Sequence, residues 1–144
     1  MFVVDTNVLV YAANRDCPEH ERCRELVEQW RHGTTPWYTT WAILYEFLRV
    51  VTHARVLPRP LAANSALDFV EAVLAAPAHR ILVASEQHAV LARQLAGEVP
   101  ALAGNLFHDF HTAVLMREHG VGTIYTRDAD FRRFTFLEVI DPLS

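Results

Sequence analysis

Short apolar runs alternate with amphipathic stretches along the whole chain, predicting an α/β fold with three layers, α/β/α, around a mainly parallel five-stranded sheet. Two observations carry this prediction. The first run, Phe2 to Asp5, is apolar without alternation and ends on a carboxylate, as a central parallel strand buried on both faces does. The chain has 144 residues, 51% of them hydrophobic, enough for one well-buried core and too few for two typical domains. Residues 1–144 are therefore read as a single domain, with no internal repeat, low-complexity tract or linker.

The elements follow in order. A helix is expected from Thr6, directly after the first strand. The next helix has Pro18 suited to its first position, Glu19 and Glu21 at its positive end, and Gly33 after Arg31 and His32 as a stop. Its Cys23, Leu26, Val27 and Trp30 recur on one face. Trp37 to Thr39 reads as the second strand and Trp41 to Val51 as a helix. Leu61 to Leu74 makes another helix, His79 to Val83 the third strand, and Glu86 to Leu95 a further helix. Pro100 and Gly104 bracket a loop; from Asn105, as N-cap, a helix runs to His119 and is stopped by Gly120 and Gly122. Thr123 to Thr126 is the fourth strand, Asp128 to Arg133 a loop or short helix, and Phe136 to Ile140 the fifth strand.

Composition removes several function classes. All thirteen basic residues are arginine, so a P-loop lysine, a Schiff-base lysine and a receiver-domain lysine are all excluded. A net charge of −4 gives no global positive field to attract nucleic acid. RNA contact then requires local arginines, with Arg49, Arg127 and Arg132 as candidates, or a metal that reverses the sign of a site. Cys17 and Cys23 lie close together without a second pair and build neither a zinc site nor a disulfide framework. No apolar run is long enough to span a bilayer, and MFVVDTN lacks the features of a secretory signal, so a cytoplasmic protein is expected.

Four acids stand where carboxylates could converge at one end of the sheet: Asp5, Glu46, Asp109 and Asp128. Ligands of open α/β sheets sit beyond the carboxyl ends of the strands, which links Asp5 to Asp128. At separations of about 6 Å and an effective dielectric near 20, each ionised pair repels by roughly 3 kcal/mol. A cluster of that kind must be protonated or hold a cation, and hard oxygen donors select Mg²⁺, with Mn²⁺ as the alternative. Singly, each acid has an ordinary role as cap, solvated helix residue, ion-pair partner or turn former.

Together, FVVDTNVLVY, the acid in WAILYEFLRV, GNLFHDFHTAVLM and IYTRDADFRRF followed by LEVIDPL resemble the PIN domain, and more closely its toxin ribonucleases of VapC type. The resemblance spans Phe2 to Leu143. It implies an acidic quartet of Asp5, Glu46, Asp109 and Asp128 that is catalytic and metal-binding. Thr6, Asn7 and Thr126 match its polar auxiliaries, and Asp130 matches an auxiliary acid. It also implies Mg²⁺-dependent hydrolysis of RNA to 5′-phosphate and 3′-hydroxyl ends. Asp5 and Asp109 would be the principal ligands, with Glu46 and Asp128 holding waters or a second ion. A small VapB-type antitoxin is implied as partner, presenting an arginine to the acids, and so is a homodimer built through helical faces, here residues 41–51 and 61–74. His108 before the third acid and Phe110 after it are unusual for the family.

Other readings are weaker. His108 and His111 are three apart, without the spacing and glutamate of a metalloprotease helix. A haloacid-dehalogenase-like phosphatase needs an aspartate where Asn7 stands, and a dinucleotide fold needs glycines where DTNVLV stands. Trp30, Trp37, Trp41, Tyr45 and Phe47 could stack bases, though core packing is the default for most. A noncatalytic nucleic-acid or protein-binding module on the same fold is the alternative from another class.

Overall fold

A computed structural model describes residues 1–144. Five strands of three residues each, β1 (Phe2–Val4), β2 (Trp37–Thr39), β3 (His79–Ile81), β4 (Thr123–Tyr125) and β5 (Glu138–Ile140), form one sheet in the order β3-β2-β1-β4-β5. Every pairing is parallel, and Val3 faces both Tyr38 and Ile124 across its two neighbours. Six helices connect them: α1 (Thr6–Ala13), α2 (His20–His32), α3 (Trp41–Val51), α4 (Ala63–Leu74), α5 (His88–Ala96) and α6 (Leu106–Glu118). Right-handed crossovers stepping outward through β2 to β3 put α1 to α4 on one face, and the return to β4 puts α5 and α6 on the other. The contacts agree, with α1 packed on α2 and α3, and α5 on α6.

The core explains the apolar runs. Val3, Val4, Trp37 and Ile124 are fully enclosed on the sheet, and Leu9, Phe47, Ala113 and Val114 close over it from the helices. Phe2, Trp30 and Tyr125 pack with ring centroids 5.0 to 5.1 Å apart around Phe2, adding edge-on aromatic attraction to area burial. The apolar face of α2, Cys23, Leu26, Val27 and Trp30, is buried as its spacing predicts. Thr40 caps α3 by accepting from the Ile43 amide at 3.0 Å.

Several boundaries differ from the sequence expectation. Pro18 lies in a turn, where His20 N donates to Cys17 O at 3.2 Å, and α2 starts two residues later. Leu61 precedes α4 because its amide is taken by Val51 O at 2.8 Å. The segment from Glu86 is a turn before α5. Asn105 holds the cap position of α6, but its side chain makes no capping bond. The third, fourth and fifth strands are shorter than expected, while single ladder bonds continue past the ends of β3 and β4, as from Leu82 N to Thr39 O and Thr126 N to Ile140 O. Asp128 to Arg133 contains a 3₁₀ turn over Ala129–Arg133. Gly120 ends α6 with φ +67°, a conformation that side chains resist.

Two buried polar groups are structural. His79 Nε2 meets Thr39 Oγ1 at 2.9 Å, and burial with a contribution from Arg80 lowers its pKa to about 4. The enclosed Glu118 carboxylate accepts from Ser85 N at 2.8 Å, from Ser85 Oγ at 2.7 Å, and meets His88 Nδ1 at 2.5 Å. Burial pushes the Glu118 pKa up, but these hydrogen bonds outweigh it and hold the group low. The loop after β3 is thereby pinned to the end of α6.

Candidate active site

The strand order reverses at β1 and β4, where a crevice opens beyond the strand ends. Asp5 follows β1 and Asp128 follows β4, so parallel pairing brings the two loops together. Glu46 reaches the crevice from the second turn of α3, and Asp109 from the first turn of α6. Asp5, Glu46, Asp109, Asp128 and Asp130 all line one groove of about 710 Å³. A second lobe of about 380 Å³ shares Asp5, Glu46 and Asp109 and extends to Tyr45 and His111.

Asp5 is the organising residue. One carboxylate oxygen accepts from the Thr6 amide at 2.8 Å, which caps α1. The other accepts from Thr126 Oγ1 at 2.7 Å and Asn7 Nδ2 at 3.0 Å. Thr126 Oγ1 in turn accepts from Asn7 Nδ2 at 2.9 Å and from the Asp128 amide at 3.0 Å. Asn7 Oδ1 accepts from the Arg127 amide at 3.1 Å. One hydroxyl and one amide thus fix the loop that carries Asp128 against the loop that carries Asp5.

Carboxylate oxygens of Asp109, Asp128 and Asp130 lie within 4.8 Å of one another, so Asp130 joins Asp109 and Asp128 in one trio, and Asp5 is outside it. Burial and charge crowding raise the carboxyl pKa values of Asp5 and Asp109. Burial, moderated by hydrogen bonds from Thr126 and Thr6 and reinforced by Asp128 and Glu46, raises the Asp5 pKa to about 6. Burial followed by repulsion from Asp128, Asp5, Asp130 and Glu46 raises Asp109 to about 7. A site that holds protons this tightly favours an added positive charge, and an all-oxygen donor set fits a hard divalent ion.

The candidate arginines separate. Arg49 lines the groove and donates to Glu46 at 3.1 Å. Arg127 is engaged by Glu19 at 3.1 Å and Asp141 at 3.4 Å, which ties it to α2 and the C-terminal segment. Arg132 is exposed and lines neither lobe. Polar groove residues that the sequence did not assign to the site are Tyr11 and Asn105, the latter expected only as a helix cap. Their signal was helical spacing, since Asn105 is four residues before Asp109 and Tyr11 four after Asn7.

The PIN domain family model matches residues 2–137. Ribonuclease VapC48 of Mycobacterium tuberculosis is 36% identical over 140 residues, covering 97% of this chain and 96% of its own. Among solved structures, Mycobacterium tuberculosis VapC20, a sarcin–ricin loop cleaving toxin, superposes with a TM-score of 0.69 at 18% identity, covering 96% of this chain and 98% of that one. VapBC-1 from nontypeable Haemophilus influenzae superposes with a TM-score of 0.64 at 16% identity, covering 99% and 98%. These two likenesses concern the fold. With the acid groove at its strand ends, the chain belongs to the PIN domain family, and within it to the VapC ribonucleases.

Proposed function

We propose that this chain is a divalent-metal-dependent endoribonuclease, the toxin of a VapBC-type pair, acting through the acid groove. The observation that carries the reading is the convergence of five acids from distant segments on one groove, with Asp5 and Asp109 raised to about 6 and about 7. Mg²⁺ is the assigned ion and Mn²⁺ a substitute. Asp5 and Asp109 are its principal ligands, while Glu46 and Asp128 hold coordinated waters or a second ion. Asp130 is assigned beside them, because its carboxylate shares close quarters with Asp109 and Asp128.

When bound, such an ion neutralises the acids, polarises a phosphoryl oxygen and acidifies a water. The residues do the rest. Thr126 and Asn7 aim Asp5 by donating to it, and the Thr126 bond offsets part of the rise that burial imposes on its pKa. Arg49, beside Glu46, offers its guanidinium to a phosphate entering between the lobes. No helix is long and apolar enough to cross a membrane, and action on cytoplasmic RNA is part of the proposal. The partner proposed is a VapB-type antitoxin that places an arginine among the acids. A homodimer is proposed through α4, where Leu67 and Leu74 stand exposed on one face.

The test is cleavage of RNA by purified protein with Mg²⁺, with Mn²⁺ and with chelator, beside Asp5→Asn and Asp109→Asn. Expected are products with 5′-phosphate ends from the wild type in either metal and none from the variants. Metal binding without any cleavage would favour the noncatalytic module, and full activity of either variant would refute the site.

A further inference from the structure

The second lobe of the groove has an unusual wall. Most of its lining is charged or polar, including Glu46, Arg49, His108, His111 and Thr112, yet Tyr45 stands in it with 68% of its surface exposed. Trp41, one helical turn earlier and 49% exposed, lies with its ring 6.4 Å from that of Tyr45. Both are on α3, and Tyr45 directly precedes Glu46. An exposed aromatic pair therefore begins where the acids end.

We infer that Tyr45, backed by Trp41, is a stacking platform for an unpaired base next to the scissile phosphate of a single-stranded or looped RNA. This rests on the nuclease reading of the groove. A ligand for this lobe needs a flat π-face for Tyr45, polar edges for His108, His111 and Thr112, and negative charge for Arg49. A nucleotide has all three. At about 380 Å³, the lobe is also within the size range of pockets that take small ligands. A second copy of the chain, bringing an apolar helix face, would desolvate the Glu46–Arg49 pair and the histidines without offering them any new hydrogen-bond partner.

Stacking tolerates every base, so the platform sets affinity for strand flexibility and purine area more than a strict sequence. Because the ring is solvent-facing, its removal leaves the core untouched. The phenolic oxygen takes part in no hydrogen bond within the chain, so phenylalanine can replace tyrosine here.

The experiment compares wild type, Tyr45→Ala and Tyr45→Phe in steady-state cleavage of a short unpaired oligoribonucleotide with Mg²⁺, alongside melting temperature and molar mass by light scattering. The expected result for Tyr45→Ala is KM raised about five- to 150-fold with kcat changed far less, and melting temperature and mass unchanged. Tyr45→Phe is expected to keep the wild-type KM. Wild-type KM in Tyr45→Ala overturns the platform while leaving the nuclease reading intact. A fall in molar mass in Tyr45→Ala also overturns it, and assigns the ring to an interface between copies. Absence of cleavage by the wild type overturns the nuclease reading and the platform with it.

Discussion

Replacing Asp109 with Asn should stabilise the metal-free protein at alkaline pH while destroying its catalysis. The folded chain raises this carboxyl from 3.8 to about 7, through burial and four neighbouring acids. A group bound more tightly to its proton in the folded state contributes stability that is complete below its ordinary pKa and is lost as pH rises through about 7. At about 1.4 kcal/mol per pKa unit the full shift is worth about 4 kcal/mol. Asp109 is only half-buried, so screening reduces this to about 2 kcal/mol. For a chain of this size each kcal/mol moves the melting temperature by about 3 to 4 °C.

Asp109→Asn should therefore melt about 6 to 8 °C above wild type at pH 8 in chelator, and only about 2 to 3 °C above it at pH 5, where the folded wild-type carboxyl is protonated but the unfolded one is already ionised. His79, which titrates in the opposite sense, is present in both chains and cancels in the difference. Saturating Mg²⁺ at pH 8 should reverse the order, since about 100 times Kd adds about 2.7 kcal/mol to the protein that binds it. Calorimetric melts at both pH values, with chelator and with Mg²⁺, decide the matter. A gap that does not change with pH, or a variant no more stable than wild type at pH 8, would refute the charge-crowding account.

Three further outcomes are expected. Thr126→Val leaves Asn7 Nδ2 and the Asp128 amide short of a buried acceptor and removes a donor from Asp5, so it should cost about 2 kcal/mol in urea unfolding and weaken Mg²⁺ binding at least about tenfold by titration calorimetry. Glu118→Ala should release the loop after β3, with faster amide exchange at Ser85 and a loss of about 2 kcal/mol; unchanged protection there would show that another contact holds the loop. Gly120→Ala meets no atom within 4 Å, so its cost of about 1 kcal/mol by urea unfolding comes from the positive φ alone, and a larger loss would point to a clash.

The parts of the fold legible in the sequence were those written locally. The unbroken apolar run of β1, the one-sided face of α2 and the Gly120 stop report burial and backbone conformation at their own positions. The ends of elements were less legible because long-range bonds set them. Leu61 is held out of α4 by Val51, and Pro18 is placed by a turn through Cys17 and His20. At the groove, Asp5 and Asp128 were legible as carboxylates after strands, whereas Glu46 and Asp109, on α3 and α6, were picked out through the resemblance to the PIN domain. Thr126 acting as hub between Asp5, Asn7 and Asp128 needed coordinates, as did the pairing of Arg127 with Glu19 and Asp141. That Asp128 caps a 3₁₀ turn with Asp130 inside it, both near Asp109, likewise needed coordinates.

The central position of β1 has a consequence for biosynthesis. The first strand to leave the ribosome has β2 on one flank, but its other flank stays bare until residues 123–125 have been translated. Until then Asp5 lacks the hydroxyl that holds it, and neither Asp128 nor Asp130 exists. Pairing between such distant segments also closes slowly. On the proposed reading of the groove, a nascent chain lacks its full set of acids until residues 123–130 have been made, and gathers them in one late step.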